Sequence, residues 1–241
     1  MKSFFAGLFG TRTTAPRVPK FIQDYEVRRL QKMKRVDYTP PETPAFRTES
    51  DVSWFNKHLA EASGFVEFGA GGSTFAAAEL GKIFVSIESD ADFHTLIRNA
   101  IEAKGQFNAE EMTFLQRSIG ETRGWGKPYL VGAPSSSRQE SFRRFSDFPE
   151  DQMASLGSNP LVLVDGRFRL ACALKSIIPT LIEANGKIIV DDYRGRKFYH
   201  DVENFAEITE RSGRMICLGR AKNIDRGNLF DRIAVAELDW R

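Results

Sequence analysis

From about residue 64 onward, short apolar runs recur along the chain: "GFVEFGA", "KIFVSIES", "MTFLQRSI", "PLVLVDG", "GKIIVDD", "RMICLGR" and "DRIAVAELDW". Between the first five lie stretches that read as helices, notably "STFAAAELG", "DADFHTLIRNAIEAKG" and "FRLACALKSIIPTLIEAN". Near-continuous apolar strands alternating with helices predict a parallel sheet buried on both faces. Only "AKNIDRGNLF" separates the last two runs, which predicts an antiparallel hairpin ending the sheet. Ahead of the first strand, "VSWFNKHLAEA" predicts a helix, with Ser50 and Asp51 offering its N-cap. The expected fold is a doubly wound α/β domain with a seven-stranded, mostly parallel sheet and an antiparallel C-terminal strand.

Residues 1–50 lack strand signals. "FIQDYEVRRLQKMKRV" places Phe21, Ile22, Tyr25, Leu30 and Met33 at roughly helical spacing, and the proline-punctuated "DYTPPETPAF" cannot continue that helix. The division expected is an N-terminal extension over 1–50 and one domain over 51–241. Within the latter, the mostly polar segment 121–159 is too long for a plain connection, so it covers a site like a lid or carries its own helix.

Charge changes this picture at one end only. The formal net charge is +2, yet residues 1–36 hold nine Lys/Arg against two Asp/Glu, so this arm carries +7 and the remainder −5. Such an arm can touch an acidic surface or simply be solvated. Cys172 and Cys217 show no metal-ligand spacing and read as two buried free thiols in a reducing cytoplasm. The opening "MKSFFAGLFG" is short for a signal segment, and no run approaches the roughly 18–20 apolar residues that span a bilayer. A soluble cytoplasmic protein is expected, with a homodimer left open.

The candidate chemistry starts at "VEFGAGGST". A strand ends at Glu67-Phe68 and a helix begins near Ser73. Gly69, Gly71 and Gly72 let the backbone turn sharply and admit a ligand without meeting a Cβ. Free N–H groups at a helix start favour an electronegative ligand. Glu88 ends the next strand nineteen residues after Gly69, where its carboxylate can accept both hydroxyls of a ribose.

Glu67 stands two positions before the first glycine, and the pattern Glu67-Phe-Gly69-Ala-Gly71-Gly72 resembles the first motif of class I S-adenosylmethionine-dependent methyltransferases. Their Rossmann-like, seven-stranded sheet also ends in an antiparallel strand. The resemblance implies that Gly69, Gly71 and Gly72 approach the methionine part of S-adenosyl-L-methionine and Glu88 its ribose. After the third strand, where these enzymes often carry an acid on the adenine amine, this chain has Ser118 and Ile119. Trp125 in "GWGKP" can stack on the base or pack in the lid segment.

Asp165 follows the fourth strand in "LVLVDGRFR", and Asp191 and Asp192 follow the fifth in "KIIVDDYRGR". Parallel strands present these ends at one edge of the sheet, the edge where ligands bind in this architecture. Three converging carboxylates repel unless neutralised, by a hard cation such as Mg²⁺ or by the nearby Arg167, Arg169, Arg194 and Arg196. The stretch from Val164 to Tyr193 further resembles the macrocin O-methyltransferase family, whose metal ligands Asp165, Asp191 and Asp192 match position by position. The departure is Arg167, which stands where that family carries its general base. An arginine takes no proton at neutral pH and would clamp an acidic group instead. His200, close after the fifth strand, can replace that base or be an exposed helix-start residue. His58 and His94 fall in predicted helices as packing or surface residues, and Tyr193 and Tyr199 line the pocket or pack.

These readings converge on an enzyme that transfers a methyl group from S-adenosyl-L-methionine to a small polar or anionic acceptor, most readily at oxygen. Two alternatives stand beside it. One is a non-catalytic binding or regulatory protein on the same fold; the other is a nicotinamide-dependent oxidoreductase.

Overall fold

The computed structural model describes residues 40–241 apart from Val131, with the backbone alone at Trp125. The expected helix over residues 21–33 and the basic arm over residues 1–36 lie outside the described residues. Residues 40–241 form one compact unit.

Seven strands make one sheet in the order β3-β2-β1-β6-β7-β9-β8. The strands β1 (Phe65–Phe68), β2 (Phe84–Glu88), β3 (Met112–Gln116), β6 (Leu161–Val164) and β7 (Lys187–Val190) pair in parallel. β9 (Met215–Ala221) is antiparallel to β7 and to the edge strand β8 (Ala206–Ser212). All four residues of β1 and of β6 are buried, as expected of strands covered on both faces. Alternation sorts their side chains. Val66, Phe68, Val162 and Val164 join the cluster under α6 (Arg169–Ser176), while Phe65, Leu161 and Leu163 meet α1 (Glu49–Glu61), α2 (Gly72–Glu79) and α3 (Ala91–Ala103). Cys172 and Cys217 are buried free thiols, one in each cluster.

Helix boundaries follow local chemistry. α1 is capped by Thr48, whose Oγ1 accepts from Asp51 N at 3.2 Å, so the cap precedes the Ser50/Asp51 expected. Asp90 caps α3 by accepting from Asp92 N and Phe93 N. α6 runs on as a π-helical stretch, Ile177–Glu183, that contains Pro179. A proline donates no backbone bond, which accounts for the widened turn.

One expectation is corrected. "DRIAVAELDW" is not a strand: Arg226–Ala236 is helix α7, capped by Asp225. Leu229 and Ala236 are buried on one side, while Phe230 and Val235 are exposed, the periodicity of an amphipathic helix. The hairpin partner of β9 is instead "AEITERS", an edge strand whose polar face and bulge hide it from an apolar scan.

Between β3 and β6 the chain makes a short ribbon of β4 (Thr122–Arg123) and β5 (Lys127–Pro128), with a tight 3₁₀ turn Gly124–Gly126 at its tip. It then forms α4 (Ser136–Phe145) and α5 (Met153–Leu156). Phe142 and Phe145 of α4 are buried against Phe168, with ring centroids 4.9 and 5.8 Å away. The segment is thus anchored in the main core.

Candidate functional site

Register brings the strand ends together. Phe68 pairs with Val164 and Val164 with Val190, so Gly69, Asp165 and Asp191 leave the sheet side by side. Gly69 has φ +105°, and a Cβ there would lie 2.7 Å from Gly166 N; only glycine allows the two turns to touch. Gly72 is filled from another side: a Cβ would lie 1.9 Å from Thr43 O, so the connector before α1 covers it. Gly71, the N-cap of α2, has nothing within 4 Å of a Cβ position. Of the three glycines, Gly71 alone is open to a ligand.

Glu67 faces inward. Its carboxylate is fully buried and accepts from Ser73 Oγ and Thr74 Oγ1 at 2.5 Å and from Ser86 Oγ at 2.6 Å. Thr74 Oγ1 in turn accepts from Gly71 N at 2.9 Å. Burial raises the Glu67 carboxyl from 4.5 to about 7 despite the three hydroxyls that lower it. His94, whose Nε2 lies 3.3 Å from Ser86 Oγ, completes this cluster; burial pushes its imidazole down to about 4. Glu67 therefore holds the glycine turn from beneath.

Glu88, at the tip of β2, fastens the turn from the side. Its carboxylate accepts from Ala70 N at 3.1 Å, Ser89 N at 2.5 Å and Asp90 N at 2.9 Å. Burial raises this carboxyl and the backbone donors oppose the rise. After β3, Ser118 is exposed and its Oγ accepts from Gly120 N, while the Ile119 side chain belongs to the core. The side chain of Trp125 lies outside the described residues. Its neighbour Gly126 is placed: a Cβ there would lie 3.8 Å from both Arg167 Cγ and Ser89 Oγ. The turn of the β4–β5 ribbon thus spans the edge from the end of β2 to the end of β6.

The three aspartates meet an arginine. Arg169, 4 % exposed, donates to the carbonyls of Gly166, Asp165 and Asp191 at 3.0, 2.8 and 2.7 Å. Its guanidinium also lies 3.0, 3.4 and 3.7 Å from the carboxylates of Asp165, Asp191 and Asp192. Arg196 at 2.5 Å and Arg214 at 2.9 Å further neutralise Asp192. Burial would lower the Arg169 guanidinium, but the surrounding carboxylates hold it above its ordinary range. Asp165 moves the other way: burial raises its carboxyl well above the carboxylate range, Arg169 opposes, and Asp191 and Asp192 add to the rise.

This donor set does not fit the expected Mg²⁺. Among the described residues no group of three or more His, Cys, Asp or Glu is arranged to hold a metal ion, and a fixed guanidinium supplies the positive charge the carboxylates need.

Arg167 differs from Arg169. It is half-buried, and no carboxylate pairs with it among the described residues. Burial and the neighbouring Arg169 and Arg196 lower its guanidinium, against Tyr199 and Asp165. The next residue, Phe168, is left-handed at φ 54°, and so is Asp192 at φ 57°. Non-glycine residues held there store strain, and both follow strands at this edge. His200 is not brought to these groups. It stacks on Tyr193 at 4.9 Å and lies 3.9 Å from Glu203, which accepts from the Tyr193 hydroxyl. Tyr199 is buried, its hydroxyl 3.5 Å from Arg196 Nη1.

No protein-family model matches the sequence, and no curated protein matches it. Among solved structures, the chain is similar to a methyltransferase-like protein from Silicibacter pomeroyi, at 27% identity and TM-score 0.68 over 82% of this chain and 99% of that one. More distant likenesses are an SAH-bound methyltransferase from Podospora anserina, at 15% identity and TM-score 0.47 over 91% and 100% of the two chains, and a methyltransferase from Geobacter sulfurreducens, at 12% and 0.43 over 87% and 92%.

Proposed function

We propose that the chain is an S-adenosylmethionine-dependent methyltransferase whose acceptor is a small polar molecule carrying an acidic group. The observation that carries this reading is the turn after β1. Gly71 is open, and the Glu88 carboxylate stands beside it on Ala70 N at 3.1 Å. A carboxylate at that place can accept two ribose hydroxyls while the start of α2 faces the rest of the cofactor. The likeness over nearly the whole of the Silicibacter pomeroyi protein supports the same chemistry.

When bound, S-adenosylmethionine supplies an electrophilic methyl carbon on a sulfonium. The protein's part is to align the acceptor with it and to manage one proton. Asp165 stands at the edge of the sheet with 38% of its side-chain surface exposed, where it can take a proton from an acceptor hydroxyl as the oxygen–carbon bond forms. Arg167, without a carboxylate partner among the described residues, holds the acceptor's acidic group, and Gly126 of the Gly124–Gly126 turn lies beside it. Arg169 keeps Asp191 and Asp192 in place, and no step passes through a metal. O-methylation is thus assigned to side-chain chemistry, with Arg167 distinguishing this chain from the macrocin-type pattern.

Replacing Glu88 by Ala tests the site. Loss of its hydrogen bonds is expected to weaken binding of S-adenosylhomocysteine by roughly 1–3 kcal/mol. Unchanged affinity would remove Glu88 from the ribose. A non-catalytic binding protein is the second reading, favoured by the arginine at 167; it predicts that binding but no methyl transfer to any acidic acceptor.

A further inference from the structure

A second concentration of positive charge lies on the same edge of the sheet, beyond β7. Val190 pairs with Ile216, and Tyr193 N and Arg194 N both donate to Arg214 O, which sets the β8–β9 turn beside the residues that follow β7. Two cavities adjoin there, of about 410 and 350 Å³, and share Arg194 and Gly213 in their walls. Arg47 and Arg214 complete the basic wall of the first and Arg211 that of the second. The N-terminus of α1 opens onto the first cavity through Thr48, which adds the positive end of a thirteen-residue helix.

Counter-charge is scarce in this groove. Among the described residues Asp51 is the one carboxylate in its walls, and it accepts from Ser212 Oγ at 2.5 Å. Arg214 reaches Asp192 through Nη1, but its Nε is buried without a hydrogen-bond partner among the described residues. A buried donor lacking an acceptor is costly and marks a place where an acceptor belongs. Arg47, Arg194 and Arg211 form no ion pair with any carboxylate among the described residues. Guanidinium groups converging from the connector before α1, from the loop after β7 and from the hairpin repel one another until an anion sits between them. Their planar forks suit the oxygens of a phosphate.

We propose that this arginine-lined groove binds a phosphate-bearing small molecule, seated between the start of α1 and the β8–β9 turn. Volumes of this order fit a small ligand, where a nucleic-acid backbone would need a longer track. The inference does not rest on methyl transfer: of its residues only Arg214, through Asp192, touches the Asp165 cluster, and none belongs to the glycine turn.

Titration calorimetry of the full chain with inorganic pyrophosphate tests it. Saturable one-to-one binding is expected, weakened at least tenfold in the Arg47→Ala/Arg194→Ala double variant. Both residues are exposed and without a carboxylate partner among the described residues, so the double variant should keep its melting temperature. Arg220→Ala, which removes an exposed charge paired with Glu207, should leave pyrophosphate binding unchanged. Absence of saturable binding, equal affinity in the double variant, or an equal loss in Arg220→Ala would overturn the proposal. So would an oligonucleotide that binds far more tightly than pyrophosphate and loses that binding in the double variant, because the groove would then be part of a polyanion surface.

Discussion

Glu67 and Arg169 show how single residues set up the edge of the sheet. Glu67 is a buried acid whose proton is held more tightly in the folded chain than in the unfolded one, because burial raises it from 4.5 to about 7. Its contribution to stability is therefore fully present below pH 4.5 and is lost as the pH rises through about 7. Glu67→Gln should flatten that fall by on the order of 2–3 kcal/mol, seen in urea midpoints at about pH 5 and about pH 8; an unchanged fall would show that Glu67 is ionised throughout. Arg169→Met leaves three carboxylates without their shared cation and should cost about 3–5 kcal/mol at neutral pH, part of it recovering as acid protonates Asp165. Melting temperatures across pH would check this. The glycines, Glu88 and the aspartates were readable from the sequence because each follows a strand. The inward face of Glu67 was not: it depends on Ser86, nineteen positions away and adjacent only through the β1–β2 register. Nor did the aspartates reveal their counter-ion, since Arg167, Arg169 and Arg196 are alike in composition and differ in which one is buried among them.

At the scale of elements, the strands with continuous apolar runs declared themselves, and the two polar-faced or short-period elements did not. β8 is a charged edge strand that buries only one end, so no apolar alternation announces it. α7 combines apolar residues closely enough to imitate a strand, and the deciding signal is its cap. Asp225→Ala should therefore destabilise the protein by about 1 kcal/mol, measured by chemical denaturation; no change would mean that tertiary contacts alone hold α7. Two ion pairs, Lys175 and Arg143 with Glu237, tie that helix end to α6 and α4. In α4, Phe142→Ala should cost about 3–5 kcal/mol through the cavity left against Phe168. A cost near zero would show that the 121–159 segment covers the site without being anchored in the core.

For the whole molecule, one edge of one sheet gathers the open glycine turn, the Glu88 carboxylate, the Asp165–Arg169 cluster, the half-buried Arg167 and the ribbon turn between the ends of β2 and β6. That the chain folds as a doubly wound, seven-stranded sheet follows from the strand and helix rhythm alone. What it acts on does not, because the arginines at this edge find their partners only in three dimensions. The central claim is that this edge holds S-adenosylmethionine. Titration calorimetry of the wild-type chain with S-adenosylhomocysteine and, separately, with NADH measures that directly. The account predicts saturable one-to-one binding of S-adenosylhomocysteine and none of NADH; binding of NADH with none of S-adenosylhomocysteine or S-adenosylmethionine would contradict it.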